Sequence, residues 1–153
     1  MKNRPVSTRS AMDEIIRKCQ FCSISMVDPE NMPYVIPMNF GYDGEYVYFH
    51  GAATGKKVDV LKNNPAVCIS FSTDHELRYV NEEVACSWSM KYRSVLIYGN
   101  AEFVNDHEDK IRCLNVVMKH YANNEFEYSA PAVRDVMVFR VKVEKIEGRT
   151  YGY

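Results

Sequence analysis

The segment from His50 to Lys57, HGAATGKK, carries the clearest chemical signal in the chain. It follows a strand-like run and opens a helical pattern at Gly55, which predicts a helix N-terminus with free backbone N–H groups beside Lys56 and Lys57. Amide donors, a positive helix end and two cations in one small volume favour a bound anion, above all a phosphate. The alternative is a solvated helix start with ordinary surface lysines.

A nucleotide-binding P-loop does not fit this segment. That motif has four residues between its glycines, and a Ser or Thr after the lysine holds magnesium. Here three residues separate Gly51 from Gly55, and Lys57 stands in place of the hydroxyl residue. We therefore expect a phosphate held by charge and amides without a metal, and we do not expect an ATPase.

The cysteines do not predict a metal or redox centre. Five cysteines at irregular spacing favour reduced thiols over a disulfide framework. The pair Cys19 and Cys22 stands where a helical pattern ends, whereas a redox pair normally stands at a helix start, where the dipole lowers a thiol pKa. A zinc site would need a second ligand pair of similar spacing. We expect both cysteines to be buried structural residues.

Length and charge exclude several classes of protein. The chain has 153 residues, 46% of them apolar, with 19 Lys and Arg against 20 Asp and Glu. This composition is typical of one soluble globular domain, 1–153, and its near-neutral charge argues against a nucleic-acid or membrane partner. The first twenty residues hold no apolar run typical of a signal peptide, so we expect a cytoplasmic location. Eleven tyrosines indicate half-buried surfaces such as interfaces or ligand clefts.

Three helices are predicted from capping residues and helical periodicity. A pattern from Ser10 to Asp13 resembles a capping box and predicts a short N-terminal helix. Gly55 opens a second helix, over 56–62, which Asn63-Asn64-Pro65 ends. Asp106 caps a third. The apolar face of that third helix comprises Ile111, Leu114, Val117, Met118 and Tyr121.

The other segments predict strands. Asp43-Gly44 is the strongest hairpin signal, and it joins an extended run over 34–42 to a strand over 45–50. Further strands are predicted over 21–27, 66–72, 84–104 and 136–147, with a charged connection over 74–83. About six strands with short helices between hairpins predict a mainly β fold, in which an antiparallel sheet closes or curls into a barrel.

Several blocks of the sequence resemble a known family when they are taken together, in order and spacing. The blocks are YVIPMNF (34–40), YVYFHGA (46–52), GKK (55–57), NPAVC (64–68) and YRSV (92–95), with Gly99. They are similar to the pyridoxamine 5′-phosphate oxidase-like flavoproteins, and more narrowly to the nitroimidazole-resistance branch. The resemblance implies a six-stranded antiparallel split β-barrel that forms homodimers and binds FMN at the dimer interface.

The same resemblance implies roles for particular residues. The strand of Pro37, Met38, Asn39 and Phe40 would run beside the isoalloxazine and offer backbone groups to its polar edge. His50, Lys56 and Lys57 would serve the ribityl phosphate at the helix that Gly55 opens. Tyr92 and Ser94 match a second contact strand, where Ser94 would donate a hydrogen bond to the phosphate. The residues themselves support the lysines; His50 could equally be a hydrogen-bonded structural residue.

A dimer also has a physical argument. Side chains fill the interior of so small a barrel, so the cofactor would lie against its outside and a second subunit would supply the missing wall. An isologous dimer would hold two equivalent sites. The candidates for that wall are Met38, Trp88, Tyr92 and the tail Tyr151-Gly152-Tyr153.

The function implied by the resemblance is an FMN-dependent oxidoreductase. A reduced nicotinamide or another reductant would supply electrons, and a small electrophile such as a nitroaromatic would receive them. Three alternatives stay open. One is an oxidase of pyridoxamine phosphate, whose arginine-rich blocks are missing here. Another is a haem protein, for which no histidine stands out as an axial ligand, with His75 and His120 left open. The third is a flavin-binding module without turnover.

Overall fold

The computed structural model describes residues 2–153, which form four α-helices and nine strands. The helices are α1 (Arg9–Lys18), α2 (Lys56–Asn63), α3 (His107–Tyr121) and α4 (Ala130–Asp135). The strands are β1 (Asn3–Val6), β2 (Cys22–Val27), β3 (Pro33–Met38), β4 (Gly41–Tyr42), β5 (Tyr46–Ala52), β6 (Ala66–Arg78), β7 (Ser89–Val104), β8 (Val136–Lys142) and β9 (Lys145–Tyr151). No helix in this part of the chain is long and apolar enough to cross a membrane.

All strand pairs are antiparallel, and the path of the sheet runs β3-β2-β6-β7-β8-β5-β4. A side branch places β9 on β7 and β1 on β9. Only Asn39 and Phe40 separate β3 from β4, although these strands lie at opposite ends of the path. Because two residues span only about 7 Å, the ends must come close together and the sheet must curl around its core. Strand pairing in residues 2–153 does not close the curled sheet into a ring.

The inner face of this curled sheet holds the core. Phe40, Phe49, Phe71 and Phe139 are completely buried. The rings of Phe49 and Phe139 stack with centroids 4.8 Å apart, and Phe40 meets Phe71 edge-on at 4.9 Å. Since side chains alternate across a strand, the residues between these positions form the outer face of the sheet.

Helix α3 forms as its sequence predicts, with a small difference in its buried face. The side chain of Asp106 accepts a hydrogen bond from the Asp109 N–H at 3.0 Å, which confirms the predicted cap. The buried residues are Lys110, Cys113, Leu114 and Val117, so the face is rotated relative to the predicted one. The Lys110 ammonium donates to three backbone carbonyls at the end of α4, which explains how a lysine is buried there.

The mainly β, antiparallel fold of split-barrel type is confirmed, but its elements differ in detail from the prediction. The described residues form nine strands rather than about six, because 34–42 and 136–147 each divide in two and β1 is added. The charged connection over 74–83 begins later than predicted, since β6 continues to Arg78 beyond a bulge between Thr73 and Glu76. There the paired strands project past the sheet, so charged residues are tolerated within a strand. Helix α1 is capped by Thr8, which accepts from the Ala11 N–H, rather than by Ser10.

Candidate functional site

The predicted anion segment lies where β5 ends and α2 begins. Gly55 precedes α2 with a φ of +118°, a backbone conformation that favours glycine, and no side chain caps the helix there. The Gly55 carbonyl accepts the first helical hydrogen bonds, from the N–H groups of Val58 and Asp59. The N–H groups of Lys56 and Lys57 therefore have no partner within the helix and can serve an anion.

Lys57 is held against the backbone at the end of β5. A Cβ built on Gly51 would lie only 2.9 Å from the Lys57 Nζ, so the ammonium occupies the space that any larger residue would fill. Burial lowers the pKa of Lys57, and no carboxylate contributes to that shift. This half-buried cation thus has unused capacity to bind an anion.

His50 directly precedes Gly51, the residue that Lys57 contacts. Its Nδ1 is buried and has no hydrogen-bond partner among the described residues. Burial, and to a smaller extent the charge of Lys57, lower the pKa of His50, so the ring is neutral near pH 7. A buried polar atom without a partner is costly unless a ligand or water satisfies it. His50, Gly51 and Lys57 together form what we call the anion cradle, and it fits a phosphate.

Lys56 does not join this cradle. Its ammonium lies 3.8 Å from the Asp28 carboxylate and 4.6 Å from the centre of the Tyr34 ring, at the turn between β2 and β3 and the start of β3. Neighbouring residues on a helix point about 100° apart, so two adjacent lysines need not converge on one ligand. The structure thus separates the two lysines that the sequence analysis treated as a pair.

The predicted ring-contact segment ends an edge strand. Within residues 2–153, β3 pairs only with β2, so one side of its backbone is unpaired there and could hydrogen-bond a ligand. Pro37 and Asn39 are exposed there, while Met38 is buried. Phe40 lies in the core, and its N–H donates to the Tyr121 hydroxyl at 3.0 Å. The Phe40 side chain is therefore part of the core, and its backbone N–H already has a hydrogen-bond partner.

Tyr92 and Ser94 lie on another part of the sheet. Tyr92 stacks on Tyr151, and Ser94 is paired with Ser72 on one side and Arg149 on the other. His50 pairs with Val138, which pairs with Val104 at the opposite end of β7. Twelve residues of extended strand, on the order of 40 Å, separate Tyr92 from Val104.

Strand pairing within one copy therefore keeps Tyr92 and Ser94 apart from the cradle. The sequence analysis placed all of these residues at one site, and the pairing alone does not bring them together.

Cys19, Cys22, His75 and His120 each have a hydrogen-bond contact within the fold. Cys19 and Cys22 are buried, and burial raises the pKa of Cys19 to about 11 and that of Cys22 further still. No group of three or more His, Cys, Asp and Glu side chains in residues 2–153 is arranged to hold a metal ion. The Nε2 of His75 is hydrogen-bonded to the Ser72 hydroxyl at 2.7 Å, and the Nε2 of His120 is hydrogen-bonded to the Cys19 carbonyl at 2.7 Å.

Two features of the site escaped the sequence analysis. The role of Gly51 depends on the position of the Lys57 side chain, although a glycine within a strand was a signal, since β5 continues to Ala52 rather than ending at His50 as predicted. Tyr121, which accepts from Phe40 and donates to the Gln20 carbonyl, is 81 residues from Phe40 in sequence and gave no local signal.

Comparison with known proteins places this geometry in a family. The sequence profile of the pyridoxamine 5′-phosphate oxidase family matches residues 8–150. The chain belongs to that family. Its resemblance to the nitroimidazole-resistance branch is also confirmed by a solved structure, a candidate 5-nitroimidazole antibiotic resistance protein from Bacteroides thetaiotaomicron. That protein is 38% identical with a TM-score of 0.88, over 97% of this chain and 87% of the other.

Two solved structures of much lower sequence identity share the fold of this pyridoxamine 5′-phosphate oxidase family chain. The flavocytochrome Anf3 from Azotobacter vinelandii is 18% identical with a TM-score of 0.83, over 99% of this chain and 70% of the other. The FAD and haem binding protein from Mycobacterium smegmatis is 13% identical with a TM-score of 0.86, over 97% of this chain and 74% of the other. No curated protein sequence matches significantly.

Proposed function

We propose that the protein binds FMN and acts as an FMN-dependent oxidoreductase, as a homodimer with the cofactor at the interface of two copies. Membership of the pyridoxamine 5′-phosphate oxidase family supports a flavin cofactor. The observation that carries the proposal is the anion cradle, in which Lys57, a half-buried lysine to whose pKa shift no carboxylate contributes, lies against Gly51, and the preceding His50 has a buried Nδ1 without a partner among the described residues.

FMN suits the cradle because its phosphate is a dianion near pH 7. The Lys57 ammonium supplies the opposite charge, and the free N–H groups at the start of α2 add donors and a positive helix end. His50 can donate from its unpartnered ring nitrogen once that nitrogen carries a proton. Lys56, already beside Asp28 and exposed, adds only a screened charge.

The flavin ring would lie along the unpaired edge of β3. Backbone groups at Pro37–Asn39 would meet its polar edge. Helix α2, which carries the cradle's Lys57, also contacts the start of β3 through Lys56 and Tyr34. Tyr92 and Ser94 lie far along β7 from the same chain's cradle. A second copy can bring its own Tyr92 and Ser94 to the site, which is why we propose a homodimer.

FMN supplies two-electron redox chemistry when bound. This chain's residues would bind the phosphate, orient the ring against β3 and, in the dimer, exclude water from it. We propose a reduced nicotinamide as the electron donor. A nitroimidazole or similar small nitroaromatic is the proposed acceptor, because the solved protein at 38% identity is a candidate 5-nitroimidazole resistance protein.

The first experiment is titration of the purified protein with FMN, followed by absorption and by quenching of flavin fluorescence. We expect saturable binding at one FMN per chain, and consumption of NADH or NADPH when a nitroimidazole is added. An absorption spectrum without flavin bands, before and after incubation with FMN, would contradict the proposal. Binding without consumption of any reduced nicotinamide would identify a flavin-binding protein without this turnover. Release of haem when the purified protein is denatured would show that haem, rather than FMN, is the cofactor.

A further inference from the structure

A second cavity lies beside the last turn of α2, and none of the three residues of the anion cradle lines it. The start of α3, the end of α4 and the adjoining ends of β7 and β8 complete its wall. Its volume of about 390 Å³ is within the range of small-molecule sites in proteins. We call it the α2–α4 cavity.

The charged side chains that line this cavity are all cations. They are Lys62, Lys110 and Arg134, and no Asp or Glu among the described residues lines it. Lys110 is buried, and its ammonium donates to the carbonyls of Val133, Arg134 and Val136 at 3.1, 3.3 and 2.7 Å. These neutral acceptors satisfy the N–H donors but leave the positive charge without a counter-ion. Lys62 forms no ion pair within residues 2–153. An anion in the cavity would therefore meet positive charge that the fold itself does not neutralise.

Arg134 keeps part of its hydrogen-bonding capacity. Its Nε and Nη2 donate to the two carboxylate oxygens of Asp135 at 2.7 and 3.0 Å, whereas its Nη1 has no partner among the described residues. The guanidinium can therefore donate to a second carboxylate. Both side chains of the Arg134–Asp135 pair are largely exposed, and an exposed ion pair contributes little to stability. A ligand can thus share or replace Asp135 at small cost.

The start of α3 favours a carboxylate over a phosphate in this cavity. The N–H groups of Asp109 and Lys110 are already bonded to the side chain and the carbonyl of Asp106, at 3.0 and 2.9 Å. Glu108 and Asp109 add negative charge in the first turn, which disfavours a dianion more than a monoanion. This helix start therefore does not offer the cluster of amide donors that suits a phosphate.

The rest of the cavity wall is apolar. Val58, Met137 and Val138 are buried, and Phe103 is half-buried. An aromatic ring can pack against such side chains, and a thioether such as that of Met137 makes favourable contacts with ring edges. Apolar side chains and cations in one cavity fit an amphipathic anion.

We propose that the α2–α4 cavity binds a small aromatic monocarboxylate. Its carboxylate pairs with Lys62 and Arg134, and its ring packs on the apolar wall beside Phe103 and Met137. This site is additional to the flavin site and does not rest on the proposed function, because the cradle residues lie outside the cavity.

The first test uses 4-fluorobenzoate, titrated into the purified protein and followed by fluorine NMR. We expect saturable binding at one site per chain, with a dissociation constant below about 1 mM. The uncharged analogue 4-fluorobenzamide has nearly the same shape and should bind at least about tenfold more weakly. Absence of saturable binding, or equal affinity for the two compounds, would overturn the proposal.

Two substitutions test the contacts of the carboxylate. Lys62→Ala and Arg134→Ala should each raise the dissociation constant of 4-fluorobenzoate about three- to tenfold, because each removes one charge-assisted hydrogen bond. Lys110 is left unchanged, since three backbone carbonyls depend on its ammonium. Thermal unfolding checks that each variant is folded. Unchanged affinity in either folded variant would overturn the proposed contacts.

Two matched controls lie outside the cavity. Lys119, like Lys62, is an exposed lysine in the last turn of a helix. Arg112, like Arg134, forms an exposed ion pair with a nearby aspartate. Lys119→Ala and Arg112→Ala should therefore bind 4-fluorobenzoate as the wild type does. Losses as large as those of Lys62→Ala and Arg134→Ala would show that the ligand responds only to the overall charge of the protein, and would overturn the site.

Competition with FMN separates this cavity from the anion cradle. Met137 stands between the two, since a Cβ built on Gly51 would lie 3.7 Å from the Met137 Cε. The methyl resonance of Met137 should therefore shift on addition of 4-fluorobenzoate, both with and without FMN. Lys57→Ala should leave the affinity for 4-fluorobenzoate within about twofold of wild type. Displacement by FMN, or loss of binding in Lys57→Ala, would place the ligand in the cradle and overturn the second site. A protein that binds 4-fluorobenzoate but no FMN would refute the proposed function while leaving this site standing.

Discussion

The Lys57 Nζ lies 2.9 Å from the position that a Cβ would occupy on Gly51. The Lys57 ammonium of α2 therefore packs directly against the backbone near the end of β5. Burial and the charge of Lys57 lower the pKa of the preceding His50, whose Nδ1 has no partner among the described residues. The contact with Lys57 makes Gly51 as much a part of the proposed phosphate site as these two residues.

Gly51→Ala should displace the Lys57 ammonium without unfolding the protein. The added methyl group meets only the flexible end of the lysine at short range, so the side chain can move aside. Loss of a charge-assisted hydrogen bond, about 1.5 kcal/mol, should weaken FMN binding about tenfold. Fluorescence titration measures the affinity, and thermal unfolding checks the fold. An unchanged affinity in the folded variant would show that the phosphate does not use Lys57 in this position.

Substitution of the two adjacent lysines should have unequal effects. Lys57→Ala removes the cation of the cradle and should weaken FMN binding by about 10- to 100-fold, whereas Lys56→Ala removes a screened surface charge and should cost less than about threefold. Lys62→Ala, in the last turn of the same helix, is the control and should have no effect. Equal losses at Lys56 and Lys57 would contradict the separation seen in the structure.

The stability of the protein without cofactor should depend on pH through His50. Burial and the charge of Lys57 lower the pKa of His50 from its ordinary value of 6.5. As the pH falls through 6.5, the unfolded chain therefore binds a proton on His50 before the folded chain does. The free energy of unfolding in urea should therefore decrease from about pH 7.5 to about pH 5.5, and it should decrease less in His50→Asn. Identical pH dependence in the two proteins would show that His50 titrates normally.

Phe40→Leu should lower the stability of the fold rather than the affinity for flavin. The ring is completely buried, with its centre 4.4 Å from that of His120, and its backbone N–H is bonded to Tyr121. We expect a loss of about 1–2 kcal/mol in the free energy of unfolding from imperfect repacking. The FMN affinity of the folded variant should stay within about twofold of wild type, since only a backbone group of Phe40 could reach a ligand. A large loss of affinity with unchanged stability would place the ring itself at the site.

The elements that the sequence predicted well are those whose signals are local. Asp106 caps α3 through a hydrogen bond three residues away, and Asp43-Gly44 joins two strands that pair directly. The elements it missed depend on distant partners. Among the described residues β1 pairs only with β9, with Asn3 opposite Tyr151. The carbonyls at the end of the short helix α4 accept hydrogen bonds from Lys110, which belongs to α3. Neither partner can be recognised from neighbouring residues.

The sequence by itself determined the segment that holds the anion cradle, because His50, Gly51 and Lys57 lie within eight residues where a strand is followed closely by a helix start. Only the tertiary structure decided which other residues join it. In the folded chain Lys56 contacts Asp28, and the Phe40 N–H is hydrogen-bonded to Tyr121. Tyr92 and Ser94 lie far along β7 from the cradle. The physical reason is that a short motif is shaped by its own backbone, whereas contacts between distant residues are set by strand order and register.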